Sequence, residues 1–312
     1  MMRSLLISCV FAGVASAQTL PAAPGALVDI GNGRRLHLLC SGQGAPTIIL
    51  EAGASSFAID WTLVQRELAK SNRVCSYDRA GMGWSDPLPT DALATEAADL
   101  RSLLAAAKVP GPYVLVGASR GGLLIRDYLA RYPADVIGLV FIDPGTEDRL
   151  WSMVGGRAFL IAEMTSDQIR SSLPPKPVPV PRRPVQKGAP FDKLPPELYE
   201  QRLLLDERLI AAQPETVTPE QIFLFQDHER QRFASLLASR KAGTPFGDRP
   251  TIVLSRGTDR DGGREASHAA VAKLSTRSRH RVIEGAGHEI HLFEPPAVVS
   301  AIREVIELYI AK

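Results

Sequence analysis

The sequence predicts an α/β fold, a mostly parallel eight-stranded sheet covered by helices. Three observations lead there. Short β-rich runs alternate with segments of helical period along most of the 312 residues, the pattern of strands joined by crossover helices. Two of the runs, Tyr113 to Val116 and Ile137 to Ile142, are continuously apolar, as strands buried on both faces are. A Gly-x-Ser-x-Gly sequence, Gly117-Ala118-Ser119-Arg120-Gly121, stands where the first of these runs gives way to a helical segment, Leu123 to Tyr132.

From the N-terminus, Arg3 precedes an apolar stretch, Leu5 to Val14, and Ala15-Ser16-Ala17 before Gln18 fits an export signal cleaved after residue 17. That stretch is too short to span a bilayer, and no later run reaches the necessary length, so the expected destination is the periplasm or the medium, with no integral membrane segment after cleavage. Cys9 leaves with the signal, and its surroundings lack the small residues of a lipid-attachment site. The mature chain then has 295 residues, and its formal charge falls from +2 to +1. Such near-neutrality gives no case for nucleic acid or for an anionic membrane surface.

Eight strands follow: Leu27 to Ile30, Arg35 to Cys40, Thr47 to Glu51, Arg73 to Tyr77, Tyr113 to Val116, Ile137 to Ile142, Thr251 to Ser255 and Arg279 to Ile283. A helix over Ala92 to Ala107 is capped by Thr90 or Asp91 and stopped by Val109-Pro110-Gly111-Pro112. After Asp143 the alternation ceases. Residues 18–144 and 249–312 are read as the core, and 145–248 as an inserted helical, proline-rich cap. In that cap Leu198 to Ala212 and Ile222 to Ala238 carry apolar residues at helical spacing, and Pro174 to Pro181 is an extended strap. Trp151, Met153, Phe159, Phe223 and Phe225 are candidates for an acyl pocket, with packing between cap helices as their default role. Asp227-His228-Glu229 is assigned to a solvated helix face.

Flanking glycines leave room for a strained serine backbone to present its hydroxyl at a sharp strand-to-helix turn, which makes Ser119 the expected nucleophile. A base active near neutral pH is needed, and histidine supplies it. His288, behind Val282-Ile283 on a small-residue turn, is chosen over its rival His291; His37, His228, His268 and His280 lack a comparable setting. The scattered histidines and two mature cysteines show no metal-ligand spacing.

Two more motifs name a family. Tyr77-Asp78-Arg79-Ala80-Gly81-Met82-Gly83-Trp84-Ser85 resembles the Asp-x-Arg-Gly-x-Gly-x-Ser loop of the α/β-hydrolase superfamily, in its lipase, esterase and haloperoxidase-like branch, with Ala80 in place of the first glycine. Glu284-Gly285-Ala286-Gly287-His288 resembles that superfamily's Gly-x-Gly-His, followed by Leu292-Phe293-Glu294-Pro295-Pro296 and a last amphipathic helix. The resemblance spans residues 26 to 145 and 248 to 310.

It implies a triad in the chain order serine, acid, histidine. Asp259, in the loop Arg256-Gly257-Thr258-Asp259-Arg260-Asp261, is placed first as the acid, then Asp143 at the end of the sixth strand, then Asp261. The oxyanion hole is expected from the backbone N–H groups of Arg120 and Ala54, with Ser55 behind Ala54; Glu51 stands where the family more often has histidine. The Arg120 side chain is read as tied to a structural aspartate or to solvent, ahead of an acidic group on the substrate or a neighbouring carboxylate. Cys40 and Cys75 fall on strands that the resemblance makes neighbours, and an oxidising compartment favours a disulfide between them over two buried thiols. A loop of 35 residues so closed is worth about 3 to 4 kcal/mol on the chain-entropy model.

The expected function is an exported serine hydrolase that cleaves a small-molecule carboxylic ester with an apolar part, without a cofactor. Amide or lactone hydrolysis and acyl transfer use the same groups, and a ligand-binding relative without turnover is the alternative of another class. Epoxide hydrolysis and hydrolytic dehalogenation are set aside, because the resembling enzymes place an aspartate where this chain has Ser119.

Overall fold

The computed structural model describes residues 20–87, 96–149, 151–154 and 157–311. The expected export signal, with Cys9, and the caps Thr90 and Asp91 lie outside the described residues. So do the side chains of Trp151 and Met153.

The core elements are β1 (Ala26–Asp29), β2 (Arg35–Ser41), β3 (Thr47–Glu51), α1 (Thr62–Leu68), β4 (Val74–Tyr77), α2 (Glu96–Ala106), β5 (Tyr113–Ala118), α3 (Arg120–Arg131) and β6 (Val136–Ile142). An inserted segment, here termed the cap, follows with the ribbon β7 (Trp151–Val154) and β8 (Arg157–Leu160), then α4 (Ser166–Ser172), β9 (Val178–Pro179), α5 (Pro196–Ala211), β10 (Thr216–Val217) and α6 (Pro219–Lys241). The core resumes with β11 (Thr251–Arg256), α7 (Gly262–Ala272), β12 (Ser278–Ile283), α8 (Ile290–Phe293) and α9 (Pro295–Ile310). All eight expected strands join one sheet, in the order β1-β2-β4-β3-β5-β6-β11-β12. From β4 to β12 the strands run parallel; β2 is antiparallel to β4, and β1 to β2.

Side chains alternate across the central strands because the strand period is two. In β5, Val114 and Val116 enter the core on the face covered by α1 and α9, while Tyr113 and Leu115 enter the core under α2, α3 and α7. Each such side chain, once removed from water, contributes about 1.5 to 3 kcal/mol. Burial on both faces is what the unbroken apolar runs record. In the antiparallel register Cys40 stands opposite Cys75, and a disulfide joins the two, tying β2 to β4.

The cap helices begin on their own sequence signals. Thr165 and Thr218 each accept the N–H of the residue three ahead, Gln168 and Gln221, whose side chains return the bond. Pro219 at the first position of α6 fits because its missing N–H is one a helix start leaves unpaired. The strap expected over Pro174 to Pro181 bends at Pro175 and Lys176, and its Val178–Pro179 is extended and pairs with Thr216–Val217. The two short ribbons of the cap were not foreseen. They are too short for a period of two to show in the sequence.

The parallel run sets the site. Because β5, β6, β11 and β12 point the same way, the residues that follow them emerge along one edge of the sheet, where ligands bind in folds of this kind.

Candidate active site

Ser119 sits on the turn between β5 and α3 with φ 52° and ψ −119°, a strained conformation for a residue with a side chain. The glycines of the motif have separate reasons. A Cβ on Gly117 would lie 2.5 Å from the Gly121 carbonyl oxygen, and one on Gly121 would lie 2.4 Å from that of Glu51. Neither contact is permitted. The serine turn and the loop after β3 are thus pressed together.

That loop presents Ala54. Arg79 holds it from beneath, with Nη1 donating to the Ala52 carbonyl at 2.7 Å and Nη2 to that of Gly53 at 2.5 Å. Arg79 is held by Glu51 at 2.6 Å, and Glu51 also accepts from the Tyr77 hydroxyl. Glu51, in the position of the family histidine, therefore orders the loop through Arg79. Burial raises the Glu51 pKa, and Arg79 pulls it partly back. Ala54 lines the central cavity and its N–H donates to no described residue; Arg120 opens α3, where first-turn N–H groups have no partner within the helix. Ser55 is not among the lining residues. The alanine in the Asp78–Ser85 loop is tolerated because the positive φ values fall on Gly81 and Gly83.

His288 follows β12, and its Nδ1–H donates to Asp143 Oδ2 at 2.5 Å. Asp143 follows β6, with φ 40° and its side chain almost wholly buried. It also accepts from Arg256 at the end of β11, from the backbone N–H at 3.1 Å and from Nε at 2.7 Å. Arg256 Nη2 lies 2.8 Å from His288 Nδ1 as well. A ring nitrogen that carries hydrogen cannot accept, so the tautomer that donates to Asp143 leaves Arg256 paired with the carboxylate alone. Burial works to raise the Asp143 pKa, but hydrogen bonds from His288 and Arg256 outweigh it and hold the carboxyl well below the usual range.

Asp143, and not the first-placed Asp259, is the carboxylate against His288. The reason is local. Asp259 is exposed on a turn with φ 48°, and Asp261 caps α7 by accepting the N–H groups of Gly263 and Arg264. The place beside the histidine is filled from β6 and by Arg256, a residue given no role from the sequence although a charge at the outer end of a buried strand was a visible signal.

The loop carrying Asp143 is fixed by a chain of bonds with one consistent set of protons. His280 Nε2–H donates to Ser255 Oγ, Ser255 donates to His268 Nδ1, and His268 Nε2–H donates to the Pro144 carbonyl. Burial lowers the His268 pKa to about 4, which keeps that ring neutral. The His291 ring lies against Trp61, tilted by 32° with centroids 4.5 Å apart, and burial pushes its pKa down to about 3.

Ser119, Ala54, His288, Asp143 and Arg120 line one cavity of about 330 Å³. Its apolar wall includes Leu123, Ile161, Phe225 and Phe233. Of the aromatic residues considered for this wall, Phe225 lies on it, while Phe223 and Phe159 belong to the packing of the cap. Glu229 also lines the cavity, which corrects its placement on a solvated face. It accepts from Arg120 at 2.7 and 3.0 Å and from Arg232 at 2.7 Å. Glu96 at the start of the described part of α2 accepts from Arg120 at 3.0 Å and from Arg232. Two arginines and two glutamates so form a closed ring that ties the Ser119 turn to α2 and to α6 of the cap. Burial opposes the ionisation of Glu96, but Arg232 and Arg120 bring its pKa down to about 2.

The profile of the alpha/beta hydrolase family matches residues 38–302, and the chain belongs to that family. Among curated proteins it is 37% identical over 130 residues to one from Hormonema carpetanum named "Probable transporter efuK", covering 39% of this chain and 18% of the other. The chain spans less than half the length of the curated relatives it matches. Solved structures with the same fold include a thermophilic esterase from Thermogutta terrifontis, with a TM-score of 0.61 and 20% identity over 91% of this chain and 97% of that one. Another is Est816, described as an N-acyl homoserine lactone degrading enzyme, with a TM-score of 0.58 and 19% identity over 89% of this chain and 99% of that one.

Proposed function

We propose that the protein is a serine hydrolase that cleaves a carboxylic ester through an acyl-enzyme. One observation carries this: a strained serine turn, a histidine–carboxylate pair and a candidate pair of backbone N–H donors open onto the same small, largely apolar cavity. His288, held in the required tautomer by Asp143, takes the Ser119 proton as the oxygen attacks the ester carbonyl. The N–H groups of Arg120 and Ala54 bind the oxyanion. The imidazolium then protonates the departing alcohol, and a water activated by His288 releases the acid and frees Ser119. The esterase and the lactone-degrading enzyme that share the fold support this class of reaction. Export belongs to the proposal, on the strength of the N-terminal signal and the Cys40–Cys75 disulfide, which suits an oxidising compartment.

The test is release of p-nitrophenol from acyl esters of graded length, together with labelling by a fluorophosphonate. Wild type is expected to do both. Ser119→Ala is expected to lose labelling and about a millionfold in kcat. Labelling that survives the substitution rejects Ser119 as the nucleophile.

A further inference from the structure

The cavity is richer in positive charge than ester hydrolysis requires. Four arginines line it, Arg120, Arg149, Arg256 and Arg264, against two carboxylates, Asp143 and Glu229. Three of the four have close carboxylate partners: Arg120 has Glu229 and Glu96, Arg256 has Asp143, and Arg149 at the rim has Asp261 at 2.5 Å. Arg264 does not. Its side chain is 13% exposed, and its nearest described carboxylate oxygen, on Asp261, is 4.0 Å away. That oxygen already serves Arg149. The one other partner among the described residues is the Asp259 carbonyl, which accepts from Nη1 at 3.1 Å.

A guanidinium has five N–H donors, and a half-buried charge whose one close carboxylate stands at 4.0 Å and already serves another arginine is poorly compensated. Burial, and then the neighbouring Arg256, depress the Arg264 pKa, with Asp143 and Asp261 pulling the other way. Arg149 adds to the depression, so two cations and two anions face Arg264, and burial tips the balance towards an added anion. The position is also selective. Arg264 belongs to the first turn of α7, on the side of the cavity that holds Asp143 and His288, whereas Ile161, Phe225 and Phe233 come from the cap.

We infer that the substrate carries a carboxylate, and that Arg264 binds it while the apolar half of the ester lies against the cap wall. The inference deepens the esterase reading and rests on it. The chemical class is a monoester of a short dicarboxylic acid, or an ester of like shape. Arg264 is then a specificity residue, because a planar carboxylate can take two of its parallel donors at once.

The experiment compares benzyl hydrogen glutarate with benzyl valerate, which lacks the charge, by release of benzyl alcohol. Wild type is expected to favour the charged ester in kcat/KM by at least about tenfold, one charge-assisted contact at 1.4 kcal/mol per decade. The preference is expected to disappear in Arg264→Gln and to return in part in Arg264→Lys. A wild-type ratio at or below one overturns the inference without any variant, as does a preference that persists in Arg264→Gln. Calorimetric titration of the Ser119→Ala protein with benzyl hydrogen glutarate separates the two layers. Binding without wild-type turnover leaves the anion site standing and sinks the esterase reading; turnover of benzyl valerate without this binding does the reverse.

Discussion

Two arginine clusters contribute to the lining of the cavity, and they differ in what their partners belong to. Arg256 shares its carboxylate with His288, and Arg256, Asp143 and His288 are all parts of the core. Arg120 shares Glu229 and Glu96 with Arg232, so its charge is spent on holding a cap helix against the Ser119 turn. Similar ion pairs in one cavity therefore have different consequences. On the proposed mechanism the first sets how His288 is held as the base, and the second holds a cap helix against the turn that carries Ser119.

The comparison breaks most visibly on the acid side. Asp143→Asn is expected to lower kcat by about 10,000-fold, because the amide no longer enforces the histidine tautomer. Asp259→Asn should stay within about twofold, the range of an exposed substitution. Equal losses in the two variants would erase the distinction drawn here between them.

A finer test sets one cluster against the other. Arg256→Gln is expected to lower kcat by about tenfold, or 1.4 kcal/mol, with KM little changed. Glu229→Gln removes charge from the ring and should raise KM while costing about 2 kcal/mol of stability, read from urea denaturation. If both variants altered the same kinetic constant, the two clusters would be one device. A smaller effect follows from acidification. Because the Glu96 pKa is depressed from 4.5 to about 2, its ionised form stabilises the fold above the unfolded value, and that contribution is lost as pH falls through this interval. The thermal midpoint of wild type should therefore drop more steeply over it than that of Glu96→Gln.

What the sequence made legible was whatever depended on local pattern. The unbroken apolar strands, the glycines around Ser119 and the small-residue turn before His288 each state a steric requirement in adjacent residues. The acid was harder, since Asp143, Asp259 and Asp261 all follow strand ends in the right chain order. Backbone direction decided among them, through the turn at Asp143 and the capping role of Asp261. The ring was invisible for a different reason. Ile222, Glu229, Arg232, Phe233 and Leu236 share the buried face of α6, and two charges on such a face make sense only once Arg120 and Glu96, from distant parts of the chain, are seen to meet them.

The cap departs from the core at the residues that position the acid. Asp143 is followed by Pro144, whose carbonyl is pinned by His268, and by Gly145, whose N–H donates to the Ser119 carbonyl at 2.8 Å. A cap can therefore be exchanged, lengthened or reshaped without unsettling Asp143, provided the graft begins after Gly145. In this chain the anchoring bonds form a firebreak between the inserted segment and the turn that holds Asp143 against His288.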